Sequence, residues 1–114
     1  MGTTFYQLAF DAVDAADLAE FWAHATGGKV QDGASHDDAV VVGGDFPQLV
    51  FHRVPEGKTA KNRLHFDLIA SDYDNEVARL VGLGASSLNE LTSGAARWST
   101  LADPEGNEFD VIAG

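Results

Sequence analysis

Cysteine is missing from this chain of 114 residues. Its absence excludes disulfide bonds and every zinc site that is built from thiolate ligands. Disulfides persist mainly in oxidising compartments, so a chain without cysteine is compatible with the reducing cytoplasm. We therefore expect a cytoplasmic location.

Basic residues are also scarce, with 7 Lys and Arg against 18 Asp and Glu and a formal net charge of −11. Nucleic acids and anionic membranes would repel such a chain, so we expect neither as a partner. No apolar run approaches the roughly 20 residues of a membrane span, and the first residues do not resemble a signal peptide. Hydrophobic residues nevertheless make up 45% of the chain, which predicts one folded domain over residues 1–114.

The first half of the chain predicts a strand, a helix and three further strands. Residues 5–11 alternate as a strand, and Asp14 is a suitable N-cap for a helix. Leu18, Phe21 and Trp22 recur at helical spacing until Gly27 and Gly28 end the helix. Short strands are predicted around residues 29–32, 39–42 and 49–54.

The same order of elements returns in the second half. A strand is predicted over residues 63–69, and Ser71 with Asp74 resembles a capping box at the start of a helix. Gly84 ends this helix, and strands follow near residues 87–91, 97–102 and 108–112. The chain therefore predicts two βαβββ modules, at about residues 1–54 and 63–114.

A shift of 58 positions relates the two modules without a gap, from Gln7 to His65 and from His52 to Asp110. Side chains alternate along a strand, so apolar residues such as Phe51 and Phe109 would face the helices. Four polar residues at repeat-related positions would then face the other way. These residues are Gln7, His52, His65 and Asp110, and Asp67 shares the face of His65.

Four segments of the chain carry a family resemblance: "LAEFW", "VFHRVPEGKTAKNRLHFDL", "ARLVGLGA" and "WSTLADPEGNEFDV". With them, the whole chain resembles the vicinal oxygen chelate superfamily, which includes glyoxalases, bleomycin-resistance proteins and extradiol dioxygenases. More narrowly, it is similar to small glyoxalase-like domain proteins. This resemblance implies an α+β fold in which two tandem βαβββ modules form a cup-shaped mixed sheet with the helices outside. It also implies a homodimer.

Metal-using members of the superfamily take four ligands from the first and last strands of the two modules. The matching positions are Gln7, His52, His65 and Asp110, with His52 and Asp110 also at the catalytic positions. This set could hold Zn, Fe, Mn or Ni. Glyoxalase I enzymes usually carry glutamates where His52 and Asp110 stand, so we expect glyoxalase I activity to be absent or very weak.

Several residues have a second interpretation. Asp110 is either a ligand or a structural anion that accepts hydrogen bonds from Arg97, Arg63 or backbone amides. Trp98 lines either the core or the cup, and the basic residues near the module junction, including Arg63, either neutralise the acidic chain or receive an anionic ligand. Asp67, Trp98 and Arg63 are the predicted ligand contacts.

Three functions are compatible with the sequence. The first is a lyase, isomerase or dioxygenase-type enzyme that uses a divalent metal to bind a small organic molecule. The second is a metal-free protein that sequesters a small molecule, as bleomycin-resistance proteins do. The third is a structural role with a vestigial cup.

Overall fold

The computed structural model describes residues 2–114, and the chain forms two compact units that meet in sequence between Gly57 and Lys58. Each unit contains one helix and one four-stranded mixed sheet in the order βαβββ. The predicted α+β fold of two tandem modules is therefore confirmed. Over residues 2–114, neither helix is long and apolar enough to cross a membrane.

The first unit contains one helix and the first four strands. Its elements are β1 (Gln7–Ala12), α1 (Ala15–Thr26), β2 (Lys29–Val30), β3 (Asp38–Val42) and β4 (Gln48–Arg53). The strand order is β1-β4-β3-β2, with β1 and β4 parallel and the other neighbours antiparallel.

The second unit repeats this topology, and the first two strands after its helix are longer than those of the first unit. Its elements are β5 (Asp67–Ala70), α2 (Tyr73–Leu83), β6 (Ser86–Ser93), β7 (Ala96–Ala102) and β8 (Glu108–Ala113). The strand order is β5-β8-β7-β6, again with the first and last strands parallel.

Helix α1 is held by a cap at each end and by an aromatic cluster. The Asp14 side chain accepts a hydrogen bond from the Asp17 N–H at 3.1 Å, and Gly27 ends the helix with a left-handed φ of 74°. Trp22 is buried and contacts Phe10, which in turn stacks on Phe51 with ring centroids 4.8 Å apart. This packing fixes the sheet face that points towards the helix.

Helix α2 buries less of its surface. Its N-cap is Asp72 rather than the predicted Ser71, and the Asp72 side chain makes no capping hydrogen bond to the helix backbone. Tyr73 and Leu80 are its buried residues, and the Tyr73 hydroxyl is hydrogen bonded to Ser99 Oγ. Phe109 and Val111 of β8 are fully buried on this side of the sheet.

The strand register corrects one part of the internal repeat. Gln7 pairs with Gln48, 41 positions further on, whereas Asp67 pairs with Asp110, 43 positions further on. The 58-residue shift relates the two N-caps, but the last strands need a shift of 60. The register equivalent of Asp110 is therefore Val50, and His52 corresponds to Ile112.

The additional residues lie within the β6–β7 hairpin, between the first residue of β6 and the last residue of β7. The chain from β6 through β7 is longer than the chain from β2 through β3, and its pairing is irregular between Ser87 and Asn89. The shift between the last strands differs from the predicted shift by an even number of residues, so every side chain stays on its predicted face. It changes only how far along the strand each side chain lies.

Candidate metal centre

Three predicted site residues of the second unit come together at the amino ends of β5 and β8. His65 Nε2 lies 3.3 Å from Asp67 Oδ1 and 3.4 Å from Asp110 Oδ2. One ligand atom from each residue falls within 4.8 Å of the other two, and over residues 2–114 this is the one such group of three. We call His65, Asp67 and Asp110 the triad.

Strand pairing positions the two carboxylates of the triad. Asp67 and Asp110 are direct partners in the parallel β5–β8 pair, so their side chains leave the same face next to each other. The Asp110 N–H donates to the Phe66 carbonyl at 2.8 Å, which continues this pairing one residue before β5. His65 immediately precedes Phe66 in the chain, so this pairing places the imidazole beside the carboxylates of Asp67 and Asp110.

The start of β5 differs from the prediction, because residues 63–66 lie outside the strand. Contacts with Glu108 hold the chain before His65 in place instead. The Glu108 carboxylate accepts a hydrogen bond from the Asn62 N–H at 3.1 Å and forms an ion pair with Lys58 at 3.0 Å. Burial by itself raises the pKa of Glu108, but the Asn62 N–H and the Lys58 ammonium outweigh it, so the pKa lies below its ordinary value.

Asp110 is the most buried member of the triad, with its side chain 17% exposed. Thr100 Oγ1 donates a hydrogen bond to Asp110 Oδ1 at 2.7 Å, while the other carboxylate oxygen, Oδ2, is the one near His65. Thr100 is the cross-strand partner of Asp110 in the β7–β8 pair. Sequence reasoning missed Thr100, because only the strand register shows which β7 residue is opposite Asp110.

Arg97 is not a partner of Asp110 in this structure. Its guanidinium donates to Glu90 at 2.7 Å and to Asp74 at 3.1 Å, and it lies over the Tyr73 ring. Those residues belong to the helix side of the sheet, where hydrogen bonding to Glu90 and the charge of Asp74 raise the pKa of Arg97. Arg63 is exposed in the loop before β5.

The predicted ligands of the first unit have other partners within that unit. Gln7 Oε1 accepts a hydrogen bond from Gln48 Nε2 at 2.8 Å, and Gln48 is its strand partner. His52 Nδ1 lies 3.0 Å from Asp38 Oδ1, and both side chains are exposed. The proposed participation of Gln7 and His52 in a four-ligand set stays a prediction.

Trp98 lies on the same face of the second sheet as the triad. It pairs with Ile112 of β8, which is two residues beyond Asp110 on that strand. Its side chain is half-buried. Its predicted contact with a bound ligand remains a prediction.

The donor set of the triad fits a divalent cation. One imidazole nitrogen and two carboxylate oxygens suit Mn²⁺, Fe²⁺ or Zn²⁺, and the two negative charges would balance the ion. Metal–ligand bonds of about 2.1 Å at right angles place neighbouring ligand atoms about 3 Å apart. The two separations of His65 Nε2 from the carboxylate oxygens, 3.3 Å and 3.4 Å, are close to this value. Three ligands from one unit would also leave coordination positions for a small molecule.

The comparisons with known proteins agree with this fold. The family model described as a glyoxalase-like domain matches residues 7–112. The chain therefore belongs to the glyoxalase-like domain family. No curated protein matches it.

Several solved structures share the fold at low sequence identity. Fosfomycin resistance protein FosX from Listeria monocytogenes is 12% identical, with a TM-score of 0.80 over 100% of this chain and 93% of that one. A glyoxalase/bleomycin resistance/dioxygenase family enzyme from Burkholderia phytofirmans is 16% identical, with a TM-score of 0.72 over 94% of this chain and 95% of that one. A mutant of the Listeria protein, 12% identical to this chain, was solved with Mn(II) and a dihydroxypropylphosphonic acid, with a TM-score of 0.79 over 100% of this chain and 92% of that one.

Proposed function

We propose that the protein binds a divalent metal ion through His65, Asp67 and Asp110 and uses it to bind a small organic molecule through oxygen atoms. The observation that carries this proposal is the convergence of three ligand atoms within 4.8 Å. The presence of Mn(II) in a FosX structure of the same fold supports it. The function would be that of a lyase, an isomerase or a dioxygenase-type enzyme.

In this proposal Asp67 becomes a metal ligand instead of a contact to the organic molecule. The reason is its separation of 3.3 Å from His65, which equals the His65–Asp110 separation to within 0.1 Å. Gln7 and His52 remain proposed ligands from the first unit, as the superfamily pattern implies. Zn, Fe, Mn and Ni remain the candidate ions.

Each residue around the proposed site has a distinct role in binding the ion and the organic molecule. A bound divalent ion would polarise an oxygen of the organic molecule. Asp110 and Asp67 supply negative charge, and Thr100 holds the Asp110 carboxylate in one orientation. If His52 is not a metal ligand, it could transfer a proton through Nε2, because its Nδ1 lies 3.0 Å from Asp38 Oδ1.

Metal-free binding of a small molecule is the second candidate function. The observation in its favour is that two carboxylates lie beside His65. Without a metal ion, these carboxylates could pair with a protonated imidazole. A cytoplasmic location and a homodimer belong to both proposals. The two functions differ in whether an ion is bound.

Metal analysis of protein purified without a metal-affinity tag tests the proposal. We expect about one ion per chain, or uptake of one Mn²⁺, Zn²⁺ or Ni²⁺ in a titration of metal-free protein. His65→Ala should abolish this uptake. His24→Ala is the matched control, because His24 is an exposed histidine of α1 that lies 3.5 Å from the Glu20 carboxylate, one helical turn away. Absence of both native metal and uptake on addition would favour the metal-free function.

A further inference from the structure

The face of the second sheet that carries the triad has two rows of side chains. Each row crosses all four strands, in the order β5, β8, β7, β6. The polar row consists of Asp67, Asp110, Thr100 and Asn89, and the apolar row consists of Ile69, Ile112, Trp98 and Leu91.

The register of the strands fixes both rows. Asp67 pairs with Asp110, Asp110 with Thr100, and Thr100 with Asn89. Two residues further along β5 and β8, Ile69 pairs with Ile112. Direct partners on neighbouring strands share a face, so each row is continuous.

The apolar row is unusually accessible for its composition. Ile69 is 76% exposed and Leu91 is 41% exposed, while Trp98 and Ile112 are half-buried. Strands are about 4.8 Å apart and two residues along a strand span about 6.6 Å, so the row is about 14 Å long and lies about 7 Å from the polar row. Contiguous apolar side chains of this kind mark binding surfaces more often than isolated ones do.

The first unit lacks this arrangement, although its topology is the same. At the level of the apolar row it has Asp11, His52 and Asp38 on adjacent strands. At the level of the polar row it has Ala9, Val50 and Val40. The polar and apolar rows thus exchange places between the two units. Since both units have the same topology, the two rows of the second unit arise from its sequence and not from the fold.

We infer that this face takes an amphipathic chelator, with an oxygen-bearing head at the triad and an uncharged aromatic or alkyl body along the apolar row. The inference rests on the proposed metal function and names the class of its organic ligand. The charges of Asp67 and Asp110 complement a metal-bound head. No cationic side chain belongs to either row, so a second anionic group on the ligand body would find no partner there.

Hydroxamates of different size test this ligand class, because they share one oxygen-chelating head. Binding of acetohydroxamate and benzohydroxamate to the Mn²⁺-loaded protein would be measured by calorimetry. We expect benzohydroxamate to bind about tenfold more tightly, since its ring would bury apolar area on the row. Addition of a carboxylate to the far end of the ring, as in 4-carboxybenzohydroxamate, should remove this gain.

Two substitutions show whether the gain arises on the apolar row. Ile69→Ser and Leu91→Ser should reduce the advantage of benzohydroxamate to about twofold or less and leave Mn²⁺ affinity unchanged. Val81→Ser is the matched control, since Val81 is an exposed apolar residue on α2, and it should retain the full advantage. Mn²⁺ affinity is measured separately for each variant.

The outcomes separate this inference from the proposed function. Equal affinities of the two hydroxamates for a Mn²⁺-loaded protein would overturn the ligand class and leave the metal proposal standing. Failure to bind Mn²⁺ or another divalent ion would overturn both. If Ile69→Ser instead changed the molar mass in light scattering, a second copy of the chain would cover the row, and the ligand class would again be wrong.

Discussion

Asp110 is the residue on which the proposed site depends most. Its two carboxylate oxygens have different neighbours, Thr100 for Oδ1 and His65 for Oδ2. This arrangement explains the presence of an acid between the buried residues Phe109 and Val111, since the alternation of the strand turns it away from the core. The carboxylate lies where strand pairing also brings Asp67.

Asp110→Asn is expected to weaken Mn²⁺ binding more than Gln7→Ala does. Asparagine keeps the size of the side chain and an oxygen for Thr100, but it removes a negative charge from the triad. We expect a loss of at least about tenfold, as even outer-shell changes typically cost 10- to 100-fold in affinity. Titration with Mn²⁺, followed by electron paramagnetic resonance, measures the effect, and a larger loss from Gln7→Ala would contradict the assignment.

Thr100→Val should also weaken Mn²⁺ binding, by about tenfold, because valine cannot donate to Asp110 Oδ1. Thr100→Ser should restore most of the affinity, since its hydroxyl can replace the lost donor. Thr92→Val is the control, as Thr92 pairs with Arg97 and does not contact the triad. A Thr100→Val protein that binds Mn²⁺ like wild type would show that the hydrogen bond is not needed for ligation.

At the scale of single elements, the two helices differ in how their N-termini are held. Asp14 caps α1 through its side chain, whereas the Asp72 carboxylate at α2 accepts from the Asn75 side chain. Asp14→Ala should lower the free energy of unfolding by about 1 kcal/mol, and Asp72→Ala by less. Urea unfolding of both variants measures the difference, and an equal loss would show that capping is not its cause.

Glu108 of β8 makes a pH-dependent contribution to stability, because its carboxylate binds the Asn62 N–H and the Lys58 ammonium. Its pKa in the folded protein lies below the ordinary value of 4.5, so the ionised form stabilises the fold. This contribution is present above pH 4.5 and is lost as the pH falls through the lower, folded-state pKa. Glu108→Gln should therefore lose less stability than wild type as the pH falls from neutral to below 4.5.

Urea unfolding at several pH values tests the role of Glu108. The variant should be less stable than wild type near neutral pH, and the two curves should converge as the pH falls. Glu105→Gln is a useful control, because it removes an acidic charge from the turn that precedes β8 and leaves the Lys58–Glu108 ion pair in place. Parallel curves for wild type and Glu108→Gln would contradict the prediction.

At the scale of the whole molecule, we predict that the protein lacks glyoxalase I activity although it belongs to the glyoxalase-like domain family. That reaction needs a base that takes a carbon-bound proton while a metal stabilises the resulting negative charge. Neither position 52 nor position 110 carries the glutamate that glyoxalase I enzymes use. We expect little or no turnover of the methylglyoxal–glutathione adduct, and rapid turnover in a spectrophotometric assay would prove this wrong.

The homodimer is also a prediction for the whole molecule. Exposed Phe5, Tyr6 and Leu64 provide apolar surface that a partner could bury. We expect twice the mass of one chain in light scattering at micromolar concentration. A single-chain mass at every concentration would contradict it.

The sequence by itself determined the order of the elements and the face to which each strand residue points. Helical spacing, glycine stops and strand alternation are local signals, which survive errors of a few residues at element ends. They were enough to predict the tandem βαβββ fold and to direct His65, Asp67 and Asp110 away from the core. They could not locate the start of β5, which depends on pairing with β8.

Only the tertiary structure decided which side chains meet along those faces. A two-residue change in strand register keeps every face but moves a side chain about 6.6 Å along the sheet, so no periodic pattern in the sequence reports it. That change aligned His52 with Ile112, brought Thr100 to Asp110, and sorted one sheet face into a polar and an apolar row. The chemistry of the site depends on those lateral pairings, which join residues far apart in the chain.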